Sequence, residues 1–302
     1  MGAVTPPAFQ APKRSARRRD AIALAAALCA CAAPERHLEY GEVSSAIMGK
    51  ELGFSVLRAP AAPGVDPRDL PIVVLLHGMG DDHRSLDRFG LSARLQSAME
   101  SGRIPRVHFV MPNGERGFYI NWYDGSRRYE DYILEEVLPA AEALLGAHPT
   151  RDRRAIMGVS MGGGGALQIG MRHPELFSAA GSLSGLLLDE ADAKRLIRTS
   201  GMRFFVDLER VFSDGSDQEF FDAHNIYKIA EFRRAAFDQR IFLAAGTRED
   251  PEFLRTTTRF HDHLATLRID HVFTTYNGGH GWRYWAPVIE EALPYLVGRG
   301  NR

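Results

Sequence analysis

Seven short apolar runs, each separated from the next by a polar or amphipathic stretch, limit this chain to folds built around a buried sheet. Pro71 to Leu76 reads PIVVLL, apolar at every position, which suits a central parallel strand buried on both faces. Phe54–Arg58, Val107–Met111, Ala155–Val159, Ala179–Leu183, Ile241–Ala245 and His271–Tyr276 read as further strands. Helical patterns fill the intervals at Leu86–Ser101, Tyr129–Leu145, Gly163–Arg172, Glu252–Leu267 and Pro287–Val297. Strands alternating with helices imply βαβ units, hence an α/β fold with a mostly parallel central sheet and helices on both faces. Leu186 to Arg240 is longer than one crossover needs and predicts an insertion over one edge of the sheet.

Composition narrows the partners. The chain has 302 residues, 45% of them hydrophobic, so it can bury a core and whole-chain disorder is excluded. A net charge of -1 provides no basic field, and nucleic acid is not an expected partner. The N-terminus differs from the rest. Lys13, Arg14, Arg17, Arg18 and Arg19 precede the apolar stretch Ala21–Ala30, the layout of a secretory signal peptide over residues 1–31. An exported protein (periplasmic, outer-membrane or secreted) is expected, although a buried Ala-rich helix would share the apolar pattern. The stretch is too short to cross a bilayer, and no integral membrane span is expected. Both cysteines, Cys29 and Cys31, fall at its end. The chain beyond them therefore has no disulfide, no cysteine zinc site and no cysteine nucleophile. Leu28-Cys29-Ala30-Cys31 resembles a bacterial lipoprotein box, so a lipid anchor at Cys31 and simple cleavage both stay open.

The chemistry centres on Gly158-Val159-Ser160-Met161-Gly162, a G-x-S-x-G sequence between a strand and a glycine-rich helix start. A nucleophilic serine needs such a sharp turn to expose its hydroxyl at the carboxyl end of the sheet, and small neighbours permit it. His280, between glycines just after the last strand, is the candidate base. Glu249 and Asp250 follow strand Ile241–Ala245, and either acid could orient His280. The chain order Ser, acid, His is that of α/β-hydrolases. An oxyanion would rest on the Met161 N–H and on the loop His77-Gly78-Met79-Gly80. His261 and His263 fall on different sides of a helix, so no metal site is expected there, and the mechanism requires no cofactor.

These motifs resemble the α/β-hydrolase branch that holds esterase D, S-formylglutathione hydrolases, feruloyl esterases and mycolyltransferases. The resemblance runs over residues 45–298. It is carried by Leu75-Leu76-His77-Gly78-Met79-Gly80, Met111-Pro112-Asn113-Gly114, Phe118-Tyr119-Ile120-Asn121-Trp122, Gly158-Val159-Ser160-Met161-Gly162-Gly163 and Arg172-His173-Pro174-Glu175-Leu176-Phe177. It implies an esterase domain over 45–298, Glu249 as the acid of a Ser160–Glu249–His280 triad, and Met79 with Met161 as oxyanion donors. The expected activity is hydrolysis of a small-molecule carboxylic ester through an acyl-enzyme. Acyl transfer of the mycolyltransferase type, and a non-catalytic glycan-binding role, are the alternatives. The cysteine that many S-formylglutathione hydrolases carry near the serine loop is not evident here. Trp122 and Trp282 are expected to line the substrate pocket, unless the aromatic residues around them merely pack the core.

Overall fold

The computed structural model describes residues 37–199, 207–213 and 216–298, so the expected signal segment lies outside the described residues. Eight strands form one sheet: β1 Leu38–Ser45, β2 Lys50–Leu57, β3 Ile72–Leu76, β4 His108–Pro112, β5 Arg154–Val159, β6 Ala179–Leu183, β7 Arg240–Gly246 and β8 His271–Tyr276. Their order across the sheet is β1-β2-β4-β3-β5-β6-β7-β8. β1 pairs antiparallel with β2, and β2 antiparallel with β4; from β4 to β8 every pairing is parallel. The seven anticipated strands are all present. β1 was not legible, because its residues alternate between half-buried and exposed positions and form no apolar run.

Alternation along β3 divides the core between two layers. Ile72, Val74 and Leu76 pack with helices Leu138–Leu145, Met161–Arg172 and Pro251–Thr266. Val73 and Leu75 pack with helices Leu91–Glu100 and Trp282–Leu296. Helices therefore cover both faces, as a two-sided apolar strand requires.

Three helices depart from their sequence reading. The 86–101 helix is broken by Gly90, which takes a left-handed φ of 67° at the start of Leu91–Glu100. The 129–145 helix contains a π-helical stretch, Tyr132–Val137, just before Pro139; proline has no N–H to give to the regular ladder. The last helix begins at Trp282 and carries Pro287 in its interior rather than at its first turn.

The long connection joins β6 to β7, which are neighbours inside the sheet, so it does not lie over an edge. It contributes helices Glu190–Thr199, Leu208–Phe212, Gln218–His224 and Ile226–Arg233. Ile197, Leu208 and Val211 form a small core with Ile120. The connection covers the end of the sheet where β5 gives way to Ser160, because its Leu186, Phe212 and Phe220 share a cavity with that residue.

Candidate active site

Ser160 turns β5 into helix Met161–Arg172 with φ 55° and ψ -122°, a left-handed backbone that side-chain-bearing residues rarely adopt. Its N–H donates to the Leu183 carbonyl at 2.9 Å, which anchors the turn. The flanking glycines are sterically required. A Cβ on Gly158 would come within 2.2 Å of the Gly162 carbonyl oxygen, and one on Gly162 within 2.3 Å of the Leu76 carbonyl oxygen.

Ser160, His280 and Glu249, from three loops far apart in sequence, meet in one hydrogen-bonded chain. His280 Nε2 lies 2.8 Å from Ser160 Oγ, and Nδ1 lies 2.7 Å from Glu249 Oε2. The carboxylate accepts from Nδ1–H, which leaves Nε2 to accept from the serine hydroxyl. The side chain of Glu249 is 0% exposed and that of His280 is 29% exposed. Phe253 stacks on the imidazole at 4.2 Å between centroids, and Trp285 meets it edge-on. Asp250, the other acid the sequence left open, instead caps helix Pro251–Thr266 by accepting from the Glu252 N–H at 2.9 Å.

Glu249 is held by more than His280. Its Oε1 accepts from the Gly246 N–H at 2.5 Å and from the Ser184 hydroxyl at 3.0 Å. Ser184 Oγ also takes the Trp285 indole N–H at 3.1 Å and lies 2.6 Å from the Tyr276 hydroxyl. The single hydroxyl hydrogen of Ser184 goes to Glu249, so Tyr276 donates to Ser184. Burial pushes the Tyr276 phenol up to about 12, which keeps that donor in place at neutral pH. Sequence reading missed Ser184 and Tyr276. Their only linear signal is a serine and a tyrosine at the carboxyl ends of strands, next to glycine or asparagine.

His77 is no rival base. It is fully buried, and burial lowers its pKa. The Gly114 N–H donates to its Nε2 at 3.0 Å, so Nδ1 carries the hydrogen and donates to the Gly78 carbonyl at 2.9 Å. Tyr119, also fully buried, donates its hydroxyl to the His77 carbonyl at 2.9 Å. Gly78 lies against Ser160, since a Cβ on it would be 3.4 Å from the serine Cβ. With the Gly78 carbonyl tied to His77, the planar trans peptide aims the Met79 N–H the opposite way. Met161 opens its helix, so its N–H has no intrahelical acceptor. His261 and His263 are committed apart, to His271 and to the Tyr227 carbonyl.

One cavity opens at Ser160, and a second cleft touches none of the three side chains. The first, of about 150 Å³, has Ser160 and Met161 in its wall together with Phe118, Leu186, Phe212 and Phe220. The other is an open polar cleft bounded by Gly80, Asp81, Trp122, Asp207 and Arg210. Trp122 therefore faces the polar cleft and not the apolar cavity. Its indole donates to the Gly117 carbonyl at 3.2 Å, and the Arg210 guanidinium lies over its ring. Trp282 borders neither cavity: its N–H is committed to Asp81 at 2.7 Å and its ring to Trp285 and Phe89. Phe118 and Ile120 supply part of the apolar wall, and the rest comes mostly from the β6–β7 connection, whose role no linear pattern revealed.

Residues 45–296 match the family described as Putative esterase. The chain belongs to that family. An esterase of Mycobacterium tuberculosis is 29% identical over 267 residues, which is 82% of this chain and 56% of that protein. An acetyl esterase of Caldicellulosiruptor saccharolyticus is 24% identical over 77% of this chain and 85% of its own length. The chain spans about half the length of the mycobacterial relative it matches. Among solved structures, a fluorophosphonate-binding serine hydrolase of Staphylococcus aureus superposes with a TM-score of 0.72 at 21% identity, covering 86% of this chain and 98% of that one. MPT51 of Mycobacterium tuberculosis gives 0.69 at 22%, covering 86% and 98%. The shared feature at such identities is the α/β-hydrolase fold.

Proposed function

We propose that this protein is a serine carboxylic-ester hydrolase acting through an acyl-enzyme. The observation that carries the proposal is the unbroken chain from buried Glu249 through His280 to Ser160, at the wall of an apolar cavity. His280 Nε2 takes the Ser160 proton as Oγ attacks the ester carbonyl. Glu249 holds the imidazole in the required tautomer and stabilises the imidazolium that forms. The N–H groups of Met79 and Met161 receive the developing oxyanion. The alcohol departs with the proton from His280, and water then repeats the sequence on the acyl-enzyme. The acyl group lies in the apolar cavity whose wall holds Ser160. The esterases and serine hydrolases among the similar proteins support the same reaction class.

The test is labelling with a fluorophosphonate alongside hydrolysis of nitrophenyl esters. Wild-type protein is expected to label and to turn over esters. Ser160→Ala is expected to do neither, with a rate loss on the order of 10⁴ or more. A folded Ser160→Ala protein that keeps a tenth of the activity would overturn the assignment. Export is proposed on the basic run and apolar stretch of residues 1–31, with Cys31 as the lipid-bearing residue if the anchor is present.

A further inference from the structure

Helix Met161–Arg172 contains five glycines, and four of them have a packing reason to be glycine. A Cβ on Gly162 would meet the Leu76 carbonyl at 2.3 Å, on Gly163 the Ser182 hydroxyl at 2.7 Å, on Gly165 the Tyr119 side chain at 2.7 Å, and on Gly170 the Ala180 Cβ at 2.7 Å. Gly164 is different. A Cβ there would meet nothing closer than the Leu186 carbonyl oxygen at 3.9 Å, an ordinary contact. Its backbone is helical, and alanine is favoured over glycine inside a helix. Nothing in the packing or the backbone accounts for the missing side chain.

The cavity accounts for it. Met161, Gly164, Gly165 and Gln168 all lie in its wall. They follow the i, i+3, i+4, i+7 spacing of one helix face. At a rise of 1.5 Å per residue that face runs for about 10 Å away from Ser160. Leu186, Leu188, Leu196 and Phe212 close the cavity from the β6–β7 connection. We propose that Gly164 is a specificity-determining residue: its missing side chain keeps open an acyl channel along this helix face, and the preferred substrates are esters of straight, medium-length fatty acids rather than acetate. This inference rests on the ester-hydrolase reading for its substrate and adds the identity of the acyl group.

The channel runs from the serine towards Gln168, so a side chain at 164 would sit in its middle. A short acyl group ends before that point, and a longer one has to pass it. The experiment compares wild type, Gly164→Ala and Gly164→Leu in three measurements. The first is kcat/KM for nitrophenyl esters from acetyl to decanoyl. The ratio of octanoyl to acetyl is expected to fall at least tenfold in Gly164→Leu, and less in Gly164→Ala. The second is thermal unfolding, where Gly164→Ala is expected to raise Tm by about 2–4 °C, since it gains helix propensity and loses no packing. The third is binding of octanoate and butanoate in the Ser160→Ala background, followed by calorimetry. Octanoate is expected to bind more tightly than butanoate, and Gly164→Leu is expected to abolish the difference. A chain-length ratio unchanged in both variants overturns the proposal while leaving ester hydrolysis intact. If wild type hydrolyses no ester, the function reading fails, and the octanoate measurement alone decides whether the channel exists. A Gly164→Ala protein less stable than wild type would show that packing demands the glycine, which also overturns the proposal.

Discussion

Glu249 and Asp250 are adjacent in sequence and chemically alike, yet the fold sends one side chain into the site and the other to a helix end. Glu249 is enclosed, with donors from Gly246, Ser184 and His280, while Asp250 is exposed and satisfies the first turn of Pro251–Thr266. The two substitutions should therefore separate activity from stability. Glu249→Gln is expected to lower kcat/KM by about 10²–10⁴, because an amide favours the wrong imidazole tautomer. Asp250→Ala is expected to lower stability by about 1 kcal/mol through loss of the cap. Steady-state kinetics and urea unfolding on both variants check the pair. Ser184→Ala should behave differently from either. It leaves the Trp285 N–H and the Tyr276 hydroxyl without their shared partner, and a buried unsatisfied donor costs about 1–3 kcal/mol. The denaturation midpoint should fall accordingly, with turnover also reduced because Glu249 loses a donor.

At the scale of elements, the turn from β5 into Met161–Arg172 is tightly constrained by backbone. Strand and helix approach so closely there that backbone carbonyls occupy the space of a methyl group at positions 158 and 162. Carbonyls cannot swing aside as a flexible side chain can. Gly162→Ala is therefore expected to destabilise by about 3 kcal/mol or more, as strain and overpacking combine. Recovery of soluble Gly162→Ala protein with wild-type Tm would contradict the close approach. The G-x-S-x-G spacing was legible because that steric demand falls on residues only four apart in the chain, two on either side of Ser160. The 132–137 π-helical stretch and the early start of the last helix were not, because each depends on how a proline is accommodated by the elements packed around it.

For the molecule as a whole, pH should act through its histidines. Burial lowers the pKa of His77 and His108, and each imidazole spends one nitrogen accepting from a backbone N–H and the other donating to a backbone carbonyl. Both lie below their unfolded value of about 6.5, so the unfolded chain binds more protons as pH falls. Their contribution is fully present above that pH and is lost below it. His173 has the opposite sign. Burial lowers it, but Glu130 and Glu175 outweigh that and raise it, so its contribution is present at low pH and lost as pH rises. Burial also lowers His83, His224 and His271, so with five imidazoles lowered against His173 raised, stability is expected to fall between about pH 6.5 and 5. Urea unfolding across that range measures it; His173 acts above about pH 6.5, so replacing it with asparagine should leave that fall largely unchanged and remove the loss of stability at higher pH. Export is tested on the same scale. Protein isolated from its native host is expected to have a mass lacking residues 1–30, and a diacylated Cys31 would identify the anchored form.

The amino-acid sequence determined the class of fold and two members of the hydrogen-bonded chain, Ser160 and His280. Apolar runs and glycine-flanked turns are short-range demands, met by residues within a few positions of one another. Only the tertiary structure decided which acid reaches His280, that Ser184 and Tyr276 brace it, and that Trp122 and Trp282 stand outside the apolar cavity while the β6–β7 connection forms most of its wall. Those outcomes depend on which side chains converge from positions up to 201 residues apart. Periodicity and spacing carry no record of such convergence, because it is set by how the layers pack and not by any local preference of the chain.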